Sequence, residues 1–107
     1  MIVSLKDIAS VIRSKNSGPF ELTLDMMFKD EKTFNKVLAT NVINPQTIAN
    51  LYKIKEDDVL SIISFPNAYA IKVTIVRPVP SGALGDRDVY GAQQHAPLLD
   101  IRLEIDD

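Results

Sequence analysis

Cysteine is absent from this chain of 107 residues, so neither a disulfide framework nor thiolate chemistry is open to it. Tryptophan is also absent, and histidine occurs once, at His95; a metal site would have to lean on carboxylates. Twelve basic residues stand against 14 acidic ones, a formal net charge of -2. The basic residues are scattered and not interleaved with aromatics. Phosphate neutralisation needs clustered Lys and Arg, so no nucleic-acid partner is expected. No apolar run approaches the roughly 20 residues of a membrane helix, and the start, Met1 to Lys6, has no basic flank before a long apolar stretch, so no secretory signal is read there. These absences predict a soluble cytoplasmic protein that meets no membrane.

What is present is an ordinary globular composition, 46% hydrophobic and 24% charged, sufficient for one core and one α+β domain over residues 1–107. Phe20, Leu22, Leu24, Met26 and Phe28 alternate with Glu21, Thr23, Asp25 and Met27, the pattern of a half-buried strand. Before it, "DIASVIR" at 7–13 reads as a strand beginning near Ile8 after a short helical lead-in, and "RSKNSGP" at 13–19 reads as the wide loop of a hairpin. Asp30 offers an N-cap to a helix with Phe34, Val37 and Leu38 on one face, ending near Asn41. Asn44 caps a second helix with Pro45 at its first position and Ile48, Leu51 and Tyr52 as its stripe.

Two further strands, Val59 to Phe65 and Ala68 to Arg77, meet at Pro66-Asn67 and are spaced as a hairpin. Val59, Ile63 and Phe65 are read on one face with Ser61; Tyr69, Ile71, Val73 and Ile75 form another apolar face. Prolines and glycines interrupt regular structure from Pro78 to about Asp88, and residues 89–96 have room for one or two helical turns. Leu99, Ile101, Leu103 and Ile105 alternate with polar residues as a last strand. The fold class is therefore an α+β two-layer sandwich: a mainly antiparallel sheet of four to five strands with two short helices on one face. The uncovered face, bearing Glu21, Thr23, Lys72, Thr74, Arg102 and Glu104, is either solvated or meets a partner.

Two polar stretches carry candidate chemistry. Arg13, Ser14, Lys15, Asn16, Ser17 and Gly18 supply two cations, small hydroxyls and a glycine that would permit close approach of a carboxylate or phosphate; the same residues also suit a plain turn. "GDRDVYGAQQHAPLL" at 85–99 holds acid–base candidates in Asp86, Asp88 and His95, and ligand-contacting candidates in Arg87, Tyr90, Gln93 and Gln94. Its spacing matches no metal-ligand signature, and Asp-Arg-Asp serves equally to brace its own loop. No nucleophile triad is identifiable, and no cofactor is named by the sequence.

Three stretches, "IRSKNSGPFELTLD" at 12–25, "DVLSI" at 58–62 and "RPVPSGALGDRDVYGAQQHAPLLDI" at 77–101, together resemble a family of small bacterial proteins known only as a domain of unknown function. Its genes tend to lie beside, or fused to, those of AtuA-like proteins, named for acyclic terpene utilisation. A looser similarity runs to the ferredoxin-like C-terminal domain of AtuA-like proteins. There an Arg-Ser-Gly-Asp-Lys-Gly loop opens the domain, and a glycine-rich segment with an aspartate and paired leucines closes it. Arg13-Ser14-Lys15-Asn16 would take the first place, with Lys15-Asn16 replacing Gly-Asp; Gly85-Asp86, Asp88 and Leu98-Leu99 would take the second.

The resemblance implies a small partner of a larger AtuA-like chain acting on branched organic acids or their coenzyme A thioesters by hydration or lyase chemistry. Under it Arg13, Lys15 and Asn16 would bind an anionic group, and Asp86, Arg87, Asp88, Gln93 and His95 would complete or brace the site. Two other readings stay open: a self-sufficient homodimeric enzyme with its site between subunits, and a non-catalytic ligand-binding or regulatory module.

Overall fold

The alternation after Phe20 becomes one of the two inner strands of the main sheet, while Phe20 itself, expected on the apolar face, stays outside the strand and exposed. In a computed structural model, which describes residues 1–18, 20–77 and 96–105, β1 (Ile2–Ser4) leads through α1 (Leu5–Ile8) into β2 (Ala9–Asn16) and β3 (Glu21–Phe28). Two helices follow, α2 (Glu31–Thr40) and α3 (Pro45–Tyr52). The hairpin β4 (Val59–Phe65) and β5 (Ala70–Val76) comes next, then α4 (Ala96–Leu99) and β6 (Arg102–Glu104). Single 3-10 turns at Glu56–Asp58 and Pro66–Ala68 precede β4 and β5.

β2, β3, β5 and β4, in that order, form an antiparallel sheet. Its inner face carries Leu22, Leu24, Met26, Ile71, Val73 and Ile75, and it packs with Phe34 and Val37 of α2 and Ile48 of α3, all at most 2% exposed. Phe34 lies 6.4 Å from the Phe28 ring and 6.3 Å from the Tyr69 ring, tilted against both as aromatic quadrupoles prefer. This is the expected α+β two-layer sandwich. A ferredoxin-like unit alternates β-α-β-β-α-β, whereas here both longer helices fall in the one connection between the two hairpins.

Local chemistry fixes the helix ends. Asp30 accepts the Thr33 backbone N–H at 2.8 Å, and this bond, first among its neighbours' effects, holds the Asp30 carboxyl below its usual value. Asn44 accepts from the Thr47 N–H at 2.8 Å, with Pro45 behind it, where a missing N–H costs nothing. Asn41 and Lys53 close α2 and α3 in the left-handed conformation, at φ 53° and 57°. The caps anticipated for both helices hold, and α2 stops within a residue of the expected Asn41.

Three further expectations are corrected. β2 continues to Asn16, so the hairpin connection is residues 17–20 rather than 13–19: Arg13, Ser14, Lys15 and Asn16 pair in register with Asp25, Leu24, Thr23 and Leu22, and cross-strand pairing outweighs their turn propensity. A β-bulge between Val59 and Ser61 breaks the supposed common face. Val59 lies opposite Ile75 on the core side, while Ser61, Ile63 and Phe65 lie opposite Thr74, Lys72 and Ala70 on the outer side, because one extra residue reverses the parity of all that follows.

The last strand is short and does not join the large sheet. Leu99 ends α4, and Arg102–Glu104 pairs with Ile2–Ser4 in a separate two-stranded sheet. The Leu5 N–H donates to the Ile101 carbonyl at 2.7 Å and the Ile105 N–H to the Met1 carbonyl at 3.0 Å. Ile101, Leu103 and Ile105 are still buried and Arg102 and Glu104 exposed, so the alternation was sound and only the partner differed. Arg102 and Glu104 consequently do not belong to the uncovered face of the large sheet.

Candidate functional site

Strand alternation distributes the first candidate set over two faces. Arg13 and Lys15 are exposed on the outer face, while Ser14, 6% exposed, and half-buried Asn16 turn with Leu22 and Leu24 to the inner one. Arg13 Nε lies 3.1 Å from Asp25 Oδ2. The two cations and Asn16 therefore do not share a side of β2. Gly18, at φ 96°, sits in the left-handed region, and a Cβ there would meet nothing within 4 Å. Its requirement is conformational, and the close approach expected of it is not what the turn demands.

The outer face is ordered in rows across the sheet. Val11, Met27, Ala70 and Phe65 make an apolar row; Arg13, Asp25, Lys72 and Ile63 a row of charges ending in an isoleucine; Lys15, Thr23, Thr74 and Ser61 a row of hydroxyls ending in a lysine. Thr23 is 2% exposed although it lies on this face.

A second arrangement stands at the end of the sheet where β5 runs out. Arg77 is 3% exposed, and its backbone N–H donates to the Phe20 carbonyl at 2.8 Å, in the turn that joins β2 to β3. A guanidinium so buried must be held by polar partners; Arg77, Ser14, Asn16 and Tyr52 each take part in a polar or ring interaction. Tyr52 closes α3 at 9% exposure, and burial pushes its phenol up, so it stays a protonated hydroxyl near neutral pH.

Beside Arg77 runs an open groove of about 370 Å³ lined by Lys53, Ile54, Lys55, Asp58, Val76 and Arg77. The end of α3 positions Lys53, whose N–H bonds back to the Ala49 carbonyl. The 3-10 turn before β4 positions Asp58, and the end of β5 positions Arg77. The exposed Lys53 and Lys55 outnumber the one carboxylate of the lining, a positive balance suited to a carboxylate or phosphate.

Sequence reading missed this groove, because no motif singles out Lys53 or Lys55 and Arg77 reads only as the end of a strand. The signal that was available is that Asp58 and Arg77 each open one of the three quoted stretches, "DVLSI" and "RPVPSGALG". Asp86, Arg87, Asp88, Tyr90, Gln93, Gln94 and His95 lie outside the described residues, as does all but the last residue of the helical stretch read within 89–96. The residue that leads into this segment, Arg77, is the one bonded to the β2–β3 turn. Among the described residues no group of three His, Asp or Glu side chains is placed to hold a metal ion, and no helix is long and apolar enough to cross a membrane.

A family model described as a domain of unknown function (DUF4387) matches residues 5–102, and the chain belongs to that family. No curated protein and no solved structure matches the chain.

Proposed function

We propose that this member of the DUF4387 family is the small subunit or accessory domain of a larger AtuA-like enzyme that acts on branched organic acids or their coenzyme A thioesters by hydratase- or lyase-type chemistry. Its own contribution is to hold an anionic group of the substrate. The observation that carries this reading is the basic groove at Lys53, Lys55 and Arg77, hydrogen-bonded through Arg77 to the turn that ends the Arg13–Asn16 stretch. The charge of this groove, next to the turn that follows the Arg13–Asn16 stretch, fits a carboxylate or the phosphates of coenzyme A.

In this reading Asp86, Asp88 and His95 supply the acid–base groups of the site completed with the larger chain. The reading also places the protein in the cytoplasm.

Co-expression of the two genes, followed by co-purification and titration of the complex with coenzyme A and with a branched-chain acyl thioester, tests the proposal. Association is expected, and Lys53→Glu with Lys55→Glu, both on exposed side chains, should weaken binding about tenfold or more, since reversing charges beside an anion costs more than about 1.4 kcal/mol. If the chains never associate and the large one alone turns over normally, the proposal is wrong. If they associate but the charge reversals change nothing, the groove is not the anion site.

A further inference from the structure

The two edges of the four-stranded sheet are defended unequally. β2 exposes Arg13 and Lys15 and is bulged between Ala9 and Val11, which are the devices that keep an edge from recruiting another strand. β4, "VLSIISF", has no charge and no proline; Leu60 and Ile63 are each 48% exposed and Phe65 is 43% exposed. Among the described residues no strand pairs with its far side, so a row of backbone N–H and C=O groups faces outward between exposed apolar side chains. On its inner flank an open groove lined by Ile43, Pro45, Leu60 and Ile62, among others, adds an apolar shelf.

From this edge we infer a homodimer: β4 pairs antiparallel with β4 of a second copy, joining two four-stranded sheets into one of eight. The pattern of the strand selects a copy of itself. The bulge leaves Leu60 without a register partner and sets Val59 apart from the ladder that runs on from Ser61, and Pro66 has no N–H to continue it. Regular pairing is thereby confined to Ser61–Phe65, whose midpoint is Ile63. A two-fold axis perpendicular to the sheet through Ile63 keeps outer faces together, as isologous pairing requires. It sets Ile63 against its counterpart, Ser61 against Phe65 and Ile62 against Ser64, so that no charge meets the seam.

The rows beyond the seam agree with this register. The charged row runs Arg13, Asp25, Lys72, Ile63, so Lys72 and its counterpart are three strand spacings apart, about 14 Å, beyond the ~8 Å screening length at physiological salt. Asp25 already sits between each Lys72 and Arg13. The acidic turn Glu56–Asp58 lies just before β4. Antiparallel pairing sends the two acidic turns to opposite ends of the seam, whereas parallel pairing would stack them side by side. Each groove at Asp58 and Arg77 then opens at its own end of the dimer, so the inference stands independently of what the groove binds.

Analytical ultracentrifugation of the full chain from low micromolar to sub-millimolar concentration tests it. The unsubstituted chain is expected to sediment as a dimer. Ile63→Lys and Ile63→Asp each put like charges face to face at the axis, and each should weaken self-association about tenfold or more; circular dichroism melts identify any variant that has lost its fold. An equimolar mixture of the two folded variants should recover the dimer, because the facing charges are then opposite. A monomeric unsubstituted chain across the range overturns the inference, including the case in which another protein's strand takes this edge. So does an Ile63→Lys variant that dimerises as tightly as the unsubstituted chain, or a mixture that stays monomeric. Should Ile63→Lys lose its fold, Ser64→Lys, at an exposed position on the same edge, carries the same expectation of weakened dimerisation.

Discussion

Thr23, Leu24 and Asp25 are consecutive residues of one central strand, and they sit in two different environments. Leu24 is fully buried on the inner face, between Ser14 on β2 and Val73 on β5, under the helices. Thr23 and Asp25 occupy the outer face, in the hydroxyl row and the charged row. Thr23 is nearly as inaccessible as Leu24, yet the consequences differ. Leu24 is buried by a second layer and stabilises the fold by removing apolar area from water, whereas Thr23 is enclosed on a face that no helix among the described residues covers. Stability therefore resides on one side of the sheet, and the exposed charges of Arg13, Lys15 and Lys72 lie on the opposite side.

The largest expected effect comes from the inner side. Leu24→Ala leaves a cavity that helices packed from one side fill only in part, and should cost about 2–5 kcal/mol of unfolding free energy in urea titrations. A cost under 1 kcal/mol would show that the inner face is loosely packed, and the contrast between the faces would collapse. Thr23→Ala comes next, at about 1 kcal/mol: it removes a β-branched side chain that pairs across the sheet with Thr74, the kind of contact that contributes up to about that amount. Groove and dimer readouts should be unaffected by Leu24→Ala wherever the variant remains folded.

Much of this division was legible in the sequence, because a period of two is a direct record of which side a residue faces. The alternation in "LTLDMMF" and in "AIKVTIV" correctly separates core from outer face, whereas Phe20, just before β3, is 64% exposed; Asn44-Pro45 announces a helix start by chemistry local to two residues. The features that were not legible are non-local or break the period. One extra residue at Leu60 moves Val59 to the opposite side from Ser61, and nothing in "DVLSI" marks it.

The polar run "RSKN" resembles a turn until Asp25 and Thr23, eight to twelve positions away, are known to lie across from it. Ile2–Ser4 is too short to announce a strand, and its partner is a hundred residues distant. The groove gathers residues 53–58 and 76–77, which no local spacing connects. Of the candidate residues, Arg13, Lys15 and Asn16 could be placed, and strand parity alone separates them; the acid–base set at 86–95 falls outside the described residues.

The smallest expected effect is the one that tests the outer face most directly. Asp25 is flanked in register by Arg13 on β2 and Lys72 on β5, and Arg13 reaches it at 3.1 Å with the arginine 59% exposed and the aspartate 14% exposed. Exposure of the arginine screens the pair and its ordering costs side-chain entropy, so a double-mutant cycle of Arg13→Ala and Asp25→Ala should return a coupling of about 0.2–1 kcal/mol. Asp25→Ala alone should exceed Arg13→Ala alone, because removing the carboxylate leaves two cations without their common counter-ion, while removing Arg13 leaves Asp25 still beside Lys72. Raising the salt to about 1 M, where the screening length falls to about 3 Å, should shrink that difference. A coupling well above 1 kcal/mol that salt does not diminish would mean the outer face is shielded from solvent like the inner one, and the two sides of β3 would no longer be distinct.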